Sequence, residues 1–538
     1  MKKRREPNYT LHKESTMSLD VFSEILEHIK NYPSMFSILK IPRNKALKKM
    51  LIVHSELSFM HILEGAKVIP DLSFDLDNKN SENLIQESLK WAVRLINNFC
   101  KEESVKKVIE PTRKEIIDFL IFCYKLDLFY NMLFSAGRGE YLLKLTDKGI
   151  FFISAKESKD FLAYNAWRQA FREREQINNI KIISMEAIQE VHLSDFSMPE
   201  MWNLGGYTLA QFKEVSVHLD GLNSKWFMNH LKKNKVVIVG KYKAEELVRV
   251  NHKQWWIEQL VQLTDFETNI VKNIIDDLTY EDFNNNDPSY QFFIPMKNKE
   301  LALPVAFVAS FVRPERNLMA LLPKKNQKLF SELTNDCENQ QIEYIREKIK
   351  DTGIIIIEKK TKAQASRKGM DLMVLDPVTF ELLVIELKWR VPPSSTREMY
   401  DTDEVVQKGL KQITEAKGWV TENFDTILSD YLGQSYLGLK PTRVEYCVVV
   451  NENIGTGTHC DSLVPVVTVD HLVEMLKFGV RSTIDVLASG KHRVPAEYIN
   501  VKPISFNLCG YKVEFPATEL LGTWLDKTLT KKRHSSII

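Results

Sequence analysis

Over the first 180 residues, apolar positions recur at three-to-four spacing with few glycines or prolines, which predicts a mainly helical region. Pro111-Thr112-Arg113 opens one of its helices. From 181 to 325 the pattern is mixed. Residues 180–183 and 236–239 predict short strands, 252–279 predicts helices, and the apolar run 301–312 predicts a buried strand or two. Asn284-Asn285-Asn286-Asp287-Pro288 is a loop by composition. From 326 to 480 a helix (337–350) leads to a strand (353–358), a basic loop and two further strands. A long helix (403–424), strands over 444–451 and 464–469, and a helix from Asp470 follow. This α-β-β-β-α-β order suits a mixed sheet with helices on its faces. Residues 481–538 form an extension whose basic end, Lys531-Lys532-Arg533-His534, is read as solvated. The fold class is therefore α/β, a multidomain α+β chain.

A chain of 538 residues is too long for one ordinary core. Its 44% hydrophobic and 27% charged residues are those of a soluble globular protein. With a net charge of +2, any nucleic-acid footprint has to be local. The six cysteines, Cys100, Cys123, Cys337, Cys447, Cys460 and Cys509, include no CxxC pair, which suits a reduced, cytoplasmic protein. The basic N-terminus lacks the apolar stretch of a signal peptide, and Lys125 and Asp127 interrupt the oiliest early run, so no membrane partner is expected. No phosphate-binding G-x-x-x-x-G-K-S/T occurs, which excludes an NTPase engine. His459-Cys460 lacks a second ligand pair, and Trp255-Trp256 reads as core.

The densest chemistry lies in KGMDLMVLDPVTFELLVIELKWR. Runs 372–375 and 382–385 predict two buried strands, joined by the turn residues Asp376-Pro377-Val378-Thr379. Folding about that turn brings Asp371 level with Ile385 and Glu386, and alternation points Glu386 and Lys388 to one face. Two carboxylates and an ammonium thus meet at one end of an oily hairpin. A bare E-x-K triplet carries little, since 71 acidic residues produce several by chance. The alternative reading is an Asp–Lys or Glu–Lys ion pair on a sheet face, which desolvation disfavours in the apolar middle of a strand. Magnesium prefers hard oxygens and keeps several waters, so two carboxylates and a carbonyl would leave positions open for a phosphate and a nucleophile.

With a helix–strand unit before the hairpin, residues 326–480 resemble the PD-(D/E)XK phosphodiesterase superfamily, the restriction-endonuclease-like fold. The proline of the literal pattern is missing, and Met370 precedes Asp371. The resemblance implies Asp371, Glu386 and the Leu387 carbonyl as ligands of Mg²⁺, for which Mn²⁺ could substitute. Lys388 would place the attacking water and offset charge on the phosphorane. Many such nucleases also carry a glutamate on the first helix. Glu338 is the candidate, in line with a stripe of Ile342, Ile345 and Ile349; alternatively it simply favours the positive start of a helix. Gln407 and Gln412, flanking the stripe Val406, Leu410, Ile413 and Val420, could reach the scissile phosphate or form an ordinary polar helix edge. Lys359, Lys360, Lys362, Arg367 and Lys368 crowd the loop before Asp371 without an acid among them, and as a group they favour a polyanion.

Leu145-Thr146-Asp147-Lys148-Gly149 resembles the start of a wing, so 105–158 reads as either a winged-helix DNA-binding unit or an ordinary helix and hairpin. The expectation is a cytoplasmic endonuclease acting on DNA, with defence against foreign DNA preferred over restriction or repair by analogy alone. A second copy or a partner subunit is a further expected partner. The competing reading is a DNA-binding regulator, or a complex subunit, with a silent nuclease-like domain.

Overall fold

The computed structural model describes residues 19–65, 78–101, 110–146, 149–154, 200–233, 244–281, 287–311, 314–358, 370–391, 393, 396–451, 454–457, 459, 462–492 and 499–520. It is mixed α/β, and the chain divides into two compact units: 1–153 with 176–329 and 505–515, and 154–175 with 330–504 and 516–538. The strands expected at 180–183 and 236–239 lie outside the described residues.

The first unit begins with the helices α1 (Leu19–Asn31), α2 (Arg43–Gly65), α3 (Asn78–Phe99) and α4 (Arg113–Gly137). A reciprocal cap starts α4. The Glu115 N–H donates to Thr112 Oγ1 (3.3 Å) while the Thr112 N–H donates to Glu115 Oε2 (2.7 Å). Asp127, which interrupts the oily run in the sequence, is buried and accepts from Trp91 Nε1 (2.8 Å), Lys90 Nζ (3.3 Å) and Asn131 Nδ2 (2.7 Å). Its charge therefore ties α3 to α4. Among the described residues no helix is long and apolar enough to cross a membrane.

After α4 come two hydrogen-bonded neighbours, β1 (Tyr141–Thr146) and β2 (Gly149–Ser154). The far edge of β2 is covered in parallel by Lys512–Glu514 of the strand Tyr511–Leu520. Gly149 matters because of that approach: a Cβ there would collide with the Lys512 carbonyl oxygen. The unit continues with α5 (Leu209–Lys233), β3 (Val248–His252), α6 (Lys253–Thr264), α7 (Thr268–Leu278), β4 (Ile294–Pro295) and β5 (Glu300–Pro304). β5 lies between β3 and β4, antiparallel to both. Trp256 is buried, and the Arg249 guanidinium sits 4.7 Å from the Trp255 ring centroid and 5.0 Å from that of Trp256, a packed core contact.

The apolar run from Leu301 does not stay extended. It leaves β5 at Pro304 and becomes α8 (Val305–Phe311), followed by α9 (Pro314–Lys325). α8 packs on α2 and buries Val305, Ala306 and Phe307 completely, and a helix that is apolar all round carries no periodicity to distinguish it from a strand.

In the second unit, α10 (Gln327–Ile349) leads into β6 (Ile355–Glu358), β7 (Leu372–Leu375) and β8 (Glu381–Lys388). The crossover helices α11 (Thr396–Glu422) and α12 (Phe424–Leu432), then β9 (Arg443–Val450), β10 (Val466–Thr468), α13 (Val469–Leu476) and α14 (Val480–Ala488) complete it. The sheet order is β10-β9-β8-β7-β6, with β10, β9 and β8 parallel and β8, β7 and β6 antiparallel. Returning β9 parallel to β8 requires the long helical crossover between them. Alternation splits the sheet between two cores. Met373, Leu375, Leu382, Val384 and Val448 face Val406, Ile413 and Val420 of α11. Leu372, Val374, Leu383, Ile385 and Leu387 face Ile345 and Ile349 of α10 together with α13 and α14. β8, buried on both faces, is nearly continuous in apolar residues for that reason.

Gly149→Ala should cost about 1–3 kcal/mol, the range for overpacking a filled site. A lowered denaturant midpoint would show it; an unchanged midpoint would mean that the strand over Gly149 is not in place.

Candidate metal centre

The hairpin that carries the charged residues is set by its turn. The Asp376 carboxylate accepts from the N–H groups of Val378 (2.8 Å) and Thr379 (3.1 Å), and Phe380 adopts the left-handed conformation (φ 58°) that closes the loop. The resulting register pairs Leu372 with Ile385. Immediately beyond it, the Asp371 N–H donates to the Ile385 carbonyl (3.0 Å) and Asp371 Oδ2 accepts from the Leu387 N–H (2.9 Å). The Asp371 carboxylate is thereby fixed across from Glu386.

Glu386 is 1% exposed and points, like Leu382 and Val384, to the α11 face of the sheet. Lys388 Nζ donates to Glu386 Oε1 (2.5 Å) and to the Leu387 carbonyl (2.8 Å). Its stem lies under Gly409, where a Cβ would come 3.3 Å from Lys388 Cγ and 3.0 Å from Val448 Cγ1. A side chain on α11 at this point would crowd the lysine, so Gly409 is what lets the helix sit directly over it.

From the opposite face, α10 reaches the strand end with two residues. Trp389 N–H donates to Glu338 Oε1 (3.4 Å), and Gln341 Nε2 donates to the Lys388 carbonyl (3.3 Å). The buried stripe of α10 runs through Leu333, Cys337, Gln341, Ile345 and Ile349, whereas Ile342 is only partly buried. Ile345 and Ile349 of the expected stripe are buried, Ile342 packs at its edge, and Gln341 lies on its buried line. Gln341 is a site residue that the sequence reading does not include, although its spacing of four from Ile345 puts it on the buried face.

Other expected residues are placed elsewhere. Gln407 is exposed and Gln412 half-buried on α11, and among the described residues neither hydrogen-bonds to Asp371, Glu386 or Lys388. Lys359, Lys360, Lys362, Arg367 and Lys368 fall outside the described residues, as does Cys460.

The electrostatics are unbalanced. Around the single Lys388 ammonium stand Glu386, Glu338 and Asp371. Burial would lower the lysine's pKa, but these carboxylates outweigh it and hold the ammonium above its ordinary value. Burial, with repulsion from Asp371, pushes Glu386 up to about 8 despite the attraction of Lys388. Glu386 Oε2 is buried with no hydrogen-bond partner among the described residues. Among those residues no group of three or more His, Cys, Asp or Glu side chains is placed to hold a metal ion. The donor set that fits a hard cation here is smaller: the Asp371 and Glu386 carboxylates with the Leu387 carbonyl. The ammonium already bonds two of those groups, so a cation and Lys388 would compete for them. No protein-family model, curated protein or solved structure matches the chain.

The raised Glu386 pKa has a consequence for stability without metal. The folded protein keeps this proton up to about pH 8 while the unfolded chain releases it near 4.5, so unfolding sheds a proton between those values. Stability in EDTA should therefore fall as pH rises from 5 to 8, and Glu386→Gln should flatten that slope in thermal melts; parallel slopes would mean that Glu386 is ionised throughout. Lys388→Met should tighten Mg²⁺ binding by roughly tenfold, about 1.4 kcal/mol of competition removed. Weaker binding by calorimetry would show that the ammonium is not a competitor.

Proposed function

We propose that the second unit is a metal-dependent nuclease of the PD-(D/E)XK type that hydrolyses phosphodiester bonds in DNA. The reading is carried by one observation: Asp371 and Glu386 converge at the end of β8 around the Lys388 ammonium, and Glu386 Oε2 is buried with no hydrogen-bond partner among the described residues. The αβββαβ element order and the mixed sheet support the restriction-endonuclease-like fold that the sequence resembles.

In this reading Asp371, Glu386 and the Leu387 carbonyl hold Mg²⁺ or Mn²⁺. When bound, the ion supplies Lewis-acid stabilisation at a phosphoryl oxygen. Lys388 leaves Glu386 and turns its ammonium toward the attacking water and the charge that develops on the phosphate. Glu338 holds the Trp389 N–H and adds negative charge behind the lysine, which keeps the ammonium protonated. Lys359, Lys360, Lys362, Arg367 and Lys368 would neutralise flanking phosphates, so binding should weaken steeply with salt. The setting in defence, restriction or repair rests on the resemblance.

A second reading, a DNA-binding regulator with a silent domain, draws on the Lys388–Glu386 pair, which closes part of the site without metal. Incubation with plasmid, linear and single-stranded DNA in Mg²⁺, Mn²⁺ or EDTA separates the two. Cutting should require the metal, Asp371→Ala and Lys388→Ala should each abolish it, and the lysine variant should keep most of its DNA binding. A gel shift without cutting in any metal favours the regulator.

A further inference from the structure

The ladder between β8 and β9 ends at the pair Lys388 and Val450. Beyond it, side chains take over the backbone groups of the next residues. Gln341 Nε2 donates to the Lys388 carbonyl (3.3 Å) and Glu338 Oε1 accepts from the Trp389 N–H (3.4 Å). Asn451, the residue after β9, binds Arg390 from both sides: its Oδ1 accepts from the Arg390 N–H (3.0 Å) and its Nδ2 donates to the Arg390 carbonyl (2.8 Å). Gln341 and Asn451 are both buried.

These bonds go to the residues that determine where Lys388 points. Gly409 lets α11 lie close over the Lys388 stem, and the backbone at 388–390 sets where that stem starts. A primary amide carries its acceptor and its donor on separate atoms, so one Asn side chain serves both the N–H and the carbonyl of Arg390. An apolar residue at 451 would leave both Arg390 groups without that partner, and an ionised aspartate would serve only the donor.

We propose that Gln341 and Asn451 are positioning residues, which hold the 388–390 backbone so that the Lys388 ammonium stays within reach of the site, on Glu386 without metal and beside the attacking water when metal is bound. The proposal rests on the nuclease reading and extends it to two residues that touch neither metal nor phosphate. A purely structural role would lower stability and activity together. A positioning role lowers turnover while leaving substrate affinity and the sheet intact, since misplacing a reacting group by about 1 Å can cost on the order of a hundredfold in rate.

The test uses the full chain with Asn451→Ala, Asn451→Asp and the near-isosteric Gln341→Met, followed by amide hydrogen exchange and cleavage kinetics on duplex DNA. Asn451→Ala should speed exchange of the Arg390 amide about tenfold or more while the β8–β9 ladder amides stay within about twofold. kcat should fall about 10–100-fold with KM unchanged, and Asn451→Asp, which keeps the acceptor, should restore part of both. Gln341→Met should lower kcat without altering exchange at Arg390. The proposal is overturned if the Arg390 amide is freed with kcat unchanged, or if ladder protection and kcat fall together in both Asn451→Ala and Gln341→Met. If the wild-type protein cuts no DNA with Mg²⁺ or Mn²⁺, the nuclease reading fails, and Mn²⁺ affinity decides the positioning role. At least threefold tighter Mn²⁺ binding in Asn451→Ala, the competing ammonium having been loosened, supports it, and unchanged or weaker binding overturns it.

Discussion

Repulsion between the buried Glu386 carboxyl and the half-buried Asp371 carboxylate beside it, at the end of β8, is the constraint on which the second unit turns. Taking an ionised carboxylate out of water costs several kcal/mol even after relaxation, and a second one beside it adds to that cost. The fold offsets it in three ways: the Leu387 N–H to Asp371, the Lys388 ammonium to Glu386, and a proton that Glu386 retains up to about pH 8. Glu386 Oε2, buried and without a hydrogen-bond partner among the described residues, is the atom that a cation would engage in the proposed nuclease.

The rest of the unit keeps that strand end in place. β8 is central in the sheet and apolar on both faces, so its register cannot slip by one residue without moving every side chain to the wrong core. α11 approaches through Gly409 and lies close over the lysine stem; α10 approaches from the other side and grips the backbone beyond it. A single ammonium is therefore held by two helices and two strands.

Much of this was legible before any coordinates. The hairpin could be read because Asp376 and Pro377 make a turn and the flanking runs have strand length, and together these fix which residue opposes Glu386. Glu338 could be reached from its place on the first helix. Gln341 has a helical spacing that puts it on the same face, but its role depends on the main-chain carbonyl of Lys388, 47 residues on, which no local pattern shows. Gly409 and Asn451 act through contacts between elements far apart in sequence, where no local pattern exists. α8 was hidden by completeness of burial, and the cover over β2 comes from a strand more than 350 residues away.

The most direct test of the central claim is anomalous diffraction from crystals of the protein equilibrated with Mn²⁺. The account predicts a peak between the Asp371 and Glu386 carboxylates beside the Leu387 carbonyl, with the Lys388 ammonium withdrawn from Glu386. A map with no peak there at millimolar Mn²⁺, and Lys388 still bonded to Glu386, would contradict it.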